Sequence, residues 1–133
     1  MTDTYFVDTV FIQALLDKND HYHAWALKVM PKVRSGRLVI TEAIFIEVTA
    51  ALAGVNRSAA ASFVRQCYST AGTEVISLDH DLFVRGLSLY EARPDKTWSL
   101  VDCISFVVMH ECGLECAVST DHHFEQAGFR LLV

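Results

Sequence analysis

The chain reads as an α/β protein: a parallel sheet with helices on both faces. Two observations predict it. Short β-branched or apolar runs alternate with helical stretches along the whole chain, the pattern of parallel strands joined by covering helices. The stretch from Thr97 to Met109 is an apolar run long enough for a buried helix. With 52% apolar and 20% charged residues the chain is globular, not disordered. Its 133 residues suit one domain with a sizeable core. No repeat, linker or low-complexity segment divides residues 1–133, so a single domain is expected.

The elements follow in order. Tyr5 to Thr9 is a short buried strand ending in a carboxylate, Asp8, and Val10 to Leu16 a short helix. After a polar turn, Asp20 is placed to cap a helix from about His21 to Val33, stopped by Ser35-Gly36. Leu38 to Ile40 is a second strand. Thr41 is a good N-cap for a helix from Glu42 to Ala53, and Glu42 suits the positive end of its dipole. That helix is apolar nearly all round, which predicts burial, yet Glu47 lies in its middle. Ser58 to Ala71 is a further helix, Glu74 to Ser77 a third strand, and Asp79 to Glu91 a helix with Leu82, Phe83, Leu87 and Tyr90 on its apolar side. Arg93 to Lys96 breaks the chain before the central helix, which ends at Gly113. Glu115 to Ser119 is a fourth strand, Asp121 to Gln126 a turn of helix, and Phe129 to Val133 a last strand.

Several function classes are disfavoured. No apolar run approaches the roughly 18 residues of a membrane span. The first residues lack the basic and long apolar regions of a signal peptide, so the expected location is cytoplasmic. Cys67, Cys103, Cys112 and Cys116 contain no CxxC pair and are expected to be reduced, buried thiols. A net charge of −5 is unlike a bulk electrostatic nucleic-acid binder. It leaves room for a nuclease, whose metal-binding acids carry charge that the cation offsets.

Four acids stand in places where acids are expensive. Asp102 lies near the start of the apolar helix, Glu47 inside another, Asp8 at the end of the first strand and Asp121 just after the fourth. A buried carboxylate needs a partner or a metal. In open α/β sheets, ligands bind beyond the carboxyl ends of the strands, where strand order switches. If the first and fourth strands are neighbours, all four acids can face one pocket. Ser99, Asp102 and Ser105, spaced by three, line one stripe of the central helix. Hard cations such as Mg²⁺ and Mn²⁺ prefer such oxygen ligands. Singly, Asp8, Asp102 and Asp121 also read as helix caps, and Glu47 as a surface acid. Their joint placement at one rim favours the site. His110, Cys112, Cys116, His122 and His123 invite a zinc reading, which is set aside because Cys116 belongs to a buried strand. Trp25 and Trp98 read as packing residues, Trp98 being the better candidate for base stacking.

On Val7-Asp8-Thr9, on Thr41 with Glu47, on Ser99-x-x-Asp102 and on Ser119-x-Asp121-x-x-Phe124, the chain resembles the PIN-domain nucleases, in particular the VapC-like toxins of toxin–antitoxin pairs. The resemblance covers nearly the whole chain. It implies an α/β/α sandwich around a parallel sheet of four or five strands and metal-dependent endoribonuclease activity. It also implies that Asp8, Glu47, Asp102 and Asp121 form a catalytic cluster holding Mg²⁺ or Mn²⁺. Thr9, Ser99 and Ser119 would support it, Thr9 and Ser119 by orienting carboxylates or the attacking water. An antitoxin partner and an RNA substrate follow from the same resemblance, and the apolar composition adds a homodimer. One departure stands out: many relatives carry another acid two residues after the last motif aspartate, where this chain has His123. The alternatives are a PIN nuclease of RNA processing without an antitoxin, and a PIN module that binds RNA or a partner without cutting.

Overall fold

A computed structural model describes residues 2–133. Five parallel strands form one sheet: β1 (Thr4–Val7), β2 (Arg37–Thr41), β3 (Thr73–Ile76), β4 (Cys116–Val118) and β5 (Arg130–Leu131). Their order across the sheet is β3-β2-β1-β4-β5. The chain therefore winds outward from β1 to β3, then returns to the other side of β1. Helices α1 (Thr9–Leu16), α2 (His23–Ser35), α3 (Glu42–Leu52) and α4 (Arg57–Ser69) belong to the first half, and they pack on one another. Helices α5 (His80–Ala92), α6 (Leu100–Glu111) and α7 (His123–Gln126) belong to the return. Right-handed crossovers place the two sets on opposite faces of the sheet, because reversing the winding reverses the face. The result is the α/β/α sandwich expected.

The core is continuous across these layers. Phe6, Ile40 and Val118 of the strands, Ile12 and Ile44 of the first helical layer, and Ile104, Met109 and Phe124 of the second are all essentially inaccessible. Phe106 sits at the hub of the second layer. Its ring meets Trp98 edge-on at 4.9 Å and Phe124 at 5.2 Å between centroids. Trp98 is buried, donates its Nε1–H to Gln126 and lies under the Arg93 guanidinium at 5.0 Å. It is a packing residue.

Several expectations need correction. Thr9 opens α1 and does not end β1, so Asp8 alone bridges strand and helix. Helix α2 starts at His23, two residues late, and Asp20 does not cap it: the Asp20 carboxylate accepts from Tyr22 N–H in a turn before the helix. Helix α3 is not buried all round, because Ile46 is 62% exposed and Ala50 and Ala51 face solvent. An outer-layer helix packs on one side only, whatever its composition. The same reason exposes the apolar side expected for α5. Leu82 and Gly86 turn toward α6, while Phe83, Leu87 and Tyr90 lie outside at 40%, 37% and 50% exposure. Cys67, Cys103 and Cys116 are buried, but Cys112 is exposed at the end of α6. Among the described residues no helix is long and apolar enough to cross a membrane.

Candidate active site

The reversal of winding occurs between β1 and β4, the position at which open parallel sheets bind ligands. Val7 pairs with Val118, so the residues that follow, Asp8 and Ser119, leave the two strands side by side. Ser119 donates its hydroxyl to Asp8 Oδ2 at 2.6 Å. Asp8 holds the N-cap position of α1, but its side chain makes no cap bond. Its carboxylate is spent across the sheet instead. The Ser119 hydroxyl also accepts from the Asp121 N–H at 3.0 Å, which turns the chain so that Asp121 follows directly. Asp121 Oδ1 in turn accepts from the His123 N–H at 2.9 Å.

Glu47 comes from α3. This helix leaves the carboxyl end of β2 through Thr41, which is fully buried and accepts from Ile44 N–H at 3.2 Å. Two turns of helix later Glu47 faces Thr9, whose hydroxyl donates to Glu47 Oε1 at 2.5 Å. Asp102 comes from α6, where Ser99 is the N-cap. Ser99 Oγ accepts from the Asp102 N–H, and Asp102 Oδ2 accepts from the Ser99 N–H, both at 3.0 Å. This reciprocal box holds the carboxylate at the start of the helix. The capping reading of Asp102 is therefore correct, and it fixes where the carboxylate stands. Ser105 does not join in: it is buried and bonds back to the Val101 carbonyl.

The nearest cluster consists of Asp102, Asp121 and His123, each offering one donor atom within 4.8 Å of the others. His123 Nδ1 lies 3.0 Å from Asp102 Oδ2 and 3.4 Å from Asp121 Oδ1. Its Nε2 is 3.3 Å from the Thr97 hydroxyl. Asp8 and Glu47 stand outside this trio, but both feel the charges of Asp102 and Asp121. Burial pushes Asp8 up to about 7, against the Ser119 hydrogen bond and helped by its acidic neighbours. Burial likewise raises Glu47 above the usual carboxylate range, opposed by Thr9. Two acids raised by burial and acidic neighbours mark a site short of positive charge.

The structure thus gathers all four acids anticipated from sequence, with Thr9, Ser99 and Ser119 each bonded to one of them. It adds two residues whose part the sequence did not reveal. His123 was conspicuous as a departure at the position two after Asp121, and as a metal donor only in the zinc reading with His110, Cys112, Cys116 and His122 that was set aside; Thr97 carried no signal. Donor chemistry fits a divalent cation: carboxylate oxygens and one imidazole, with two further acids adding negative charge. Two cavities lie away from the acids: one of 560 Å³ between α1, α2 and α4, and one of 440 Å³ beside Trp98 and Phe106.

The PIN-domain family pattern matches residues 5–130, from β1 into β5. The chain belongs to the PIN-domain family. Among solved structures, this PIN domain is similar to the Mycobacterium tuberculosis toxin VapC20, described as cleaving the sarcin–ricin loop. The two are 24% identical, the match covers 94% of this chain and 95% of that one, and the TM-score is 0.84. The shared feature is the fold. A search of curated protein sequences finds no match to this PIN domain.

Proposed function

We propose that this PIN domain, residues 1–133 acting as one unit, is a metal-dependent endoribonuclease and the toxin of a toxin–antitoxin pair. One observation carries the reading: four acids from four separate segments converge where strand order reverses, each held by a hydroxyl-bearing neighbour. Asp8, Glu47, Asp102 and Asp121 are the catalytic and metal-holding acids, with Mg²⁺ or Mn²⁺ as the cation. When bound, that cation would supply Lewis acidity toward the scissile phosphate and toward the attacking water.

The chain's own residues do the rest. Asp102 and Asp121 are partly exposed, at 15% and 26% of their side chains, so a phosphodiester can reach them. Asp8 is buried and held by Ser119, and the half-buried Glu47 is held by Thr9. Those bonds orient their free oxygens before substrate arrives, so little reorganisation is needed at the reaction. The rim is open, as a polymer substrate requires.

The same reading assigns an antitoxin that covers the groove, a homodimer and a cytoplasmic location. The likeness to a toxin described as cleaving the sarcin–ricin loop supports RNA as the substrate class. The apolar stripe along α5, which the described residues leave partly exposed, supports the homodimer.

Purified wild type and Asp102→Asn should be given a mixed structured RNA with Mg²⁺, with Mn²⁺ and with EDTA. Asparagine can still accept from the Ser99 N–H, so the cap survives. Wild type should cut with metal and stop with EDTA. The variant should cut about a hundredfold more slowly or worse, because the cation's contribution is several kcal/mol. Failure of folded, partner-free wild type to cut several RNAs with either metal would favour the non-cleaving binding module.

A further inference from the structure

We propose that His123 is itself a metal ligand, through Nδ1, and that it biases the site away from Mg²⁺ toward Mn²⁺. The inference rests on the nuclease reading and deepens it. Donors about 2.1 Å from an octahedral ion are roughly 3.0 Å apart when adjacent. His123 Nδ1 lies 3.0 Å from one Asp102 oxygen and 3.4 Å from one Asp121 oxygen, the spacing of neighbouring ligands around one ion. The other ring nitrogen, Nε2, faces the Thr97 hydroxyl at 3.3 Å. Without a cation, Nδ1–H donates to Asp102 Oδ2 at 3.0 Å; a cation at that place displaces the proton, and donation from Nε2–H to Thr97 then leaves Nδ1 free to bind the ion. Metal-binding histidines are held by such a bond from the second nitrogen, which sets tautomer and ring orientation. The short helix α7 begins at His123, two residues after Asp121, which keeps the backbone that carries the imidazole beside the acids.

The chemical consequence follows from the donor type. Mg²⁺ strongly prefers oxygen and dehydrates reluctantly. An imidazole nitrogen is softer, and binding through it favours a first-row transition ion. A third carboxylate at the same place would restore an all-oxygen site. His123→Asp should therefore move selectivity toward Mg²⁺.

The test reads the ligand directly. Mn²⁺ alone is bound to full-length protein and examined by pulsed EPR for modulation from a directly coordinated ¹⁴N nucleus. Wild type should show it. So should His122→Ala, because His122 is 71% exposed with its Nδ1 3.9 Å from Asp121. His123→Ala and His123→Asp should lose it. In titrations read by Mn²⁺ EPR, His123→Ala should weaken Mn²⁺ binding by about tenfold or more. Mg²⁺ should displace Mn²⁺ from His123→Asp at lower concentration than from wild type. Bound Mn²⁺ without nitrogen modulation in wild type, or modulation that persists in His123→Ala, overturns the ligand assignment and leaves the carboxylate site standing. No Mn²⁺ binding by folded wild type overturns the assignment and the nuclease reading together. A wild-type spectrum without modulation overturns the assignment with no variant needed, and if His123→Ala fails to fold, His123→Asp and His122→Ala still identify which imidazole supplies the nitrogen.

Discussion

Asp8 shows how a single residue couples the site to stability. Folded, its carboxyl titrates at about 7, against 3.8 for an ordinary aspartate. Below about pH 4 it is protonated in folded and unfolded chains alike, and stability is unaffected. Between there and pH 7 the unfolded chain has released its proton while the folded chain keeps it. Stability then falls as pH rises, and levels off above 7. The full difference is on the order of 4 kcal/mol, an upper bound. In EDTA, wild type should therefore melt at a lower temperature at pH 8 than at pH 5. Asp8→Asn keeps the Ser119 hydrogen bond and should flatten that slope, melting above wild type at pH 8. Adding Mn²⁺ should recover stability in wild type at pH 8 more than in the variant. Parallel melting curves for wild type and Asp8→Asn across this range would remove Asp8 as the source. Glu42 is a contrasting residue. Sequence placed it at the helix dipole, but its carboxylate also accepts from Tyr68 OH at 2.7 Å and Leu78 N–H at 2.8 Å. Those bonds, Tyr68 first, lower its pKa and tie α3 to the turn before α5. Neither partner is near it in sequence.

At the scale of elements, the position of Asp102 depends on how α6 is held. Its start is set by Ser99, and its length by the packing of α5 along it. Gly86 is the point of closest approach: a Cβ there would lie 2.4 Å from Ile104 Cγ1 and 3.3 Å from Ile104 Cα. Ile104 is 2% exposed and has no room to retreat. Gly86→Ala gains about 1 kcal/mol of helix propensity. The overpacking it causes is about 1–3 kcal/mol and should dominate. Urea unfolding should show Gly86→Ala less stable than wild type. Combined with Ile104→Ala, it should lose less than the two single changes summed. Simple additivity would mean that the helices do not meet there. Ser99→Ala addresses the other end of the restraint. It removes the capping hydroxyl, should lower stability by about 1 kcal/mol, and should weaken Mn²⁺ binding because the α6 start that carries Asp102 frays. Calorimetric titration of Mn²⁺ would detect the second effect.

The whole molecule brings the separate segments together and leaves one face bare. Phe83, Leu87 and Tyr90 fall at spacings of four and three along α5, so they share a side of the helix. The homodimer reading places them at the interface between copies. Leu87→Glu should leave the fold intact, since Leu87 is already 37% exposed, and should convert a dimer to a monomer in analytical ultracentrifugation. A wild type that is monomeric at tens of micromolar, or a Leu87→Glu dimer, would move the interface elsewhere.

Sequence by itself determined the class of fold, and it singled out the four acids that the proposed site uses. Alternation of strand and helix signals is a local property, and so is the anomaly of a carboxylate in an apolar run. Asp8, Glu47 and Asp102 could be picked out on that ground, and Asp121 by its place just after a strand. Exposure was misjudged where it depends on neighbours: Ile46 and the Phe83, Leu87 and Tyr90 stripe are apolar, but the described residues leave them partly exposed. Only the tertiary structure decided the strand order, and with it that β1 and β4 are adjacent, so that Ser119 can reach Asp8 across 111 residues. It alone placed His123 between Asp102 and Asp121, with Thr97 behind it. The physical reason is the same in each case. Periodicity and capping act over a few residues, whereas register, burial and the meeting of ligands from distant segments are settled only when the sheet closes.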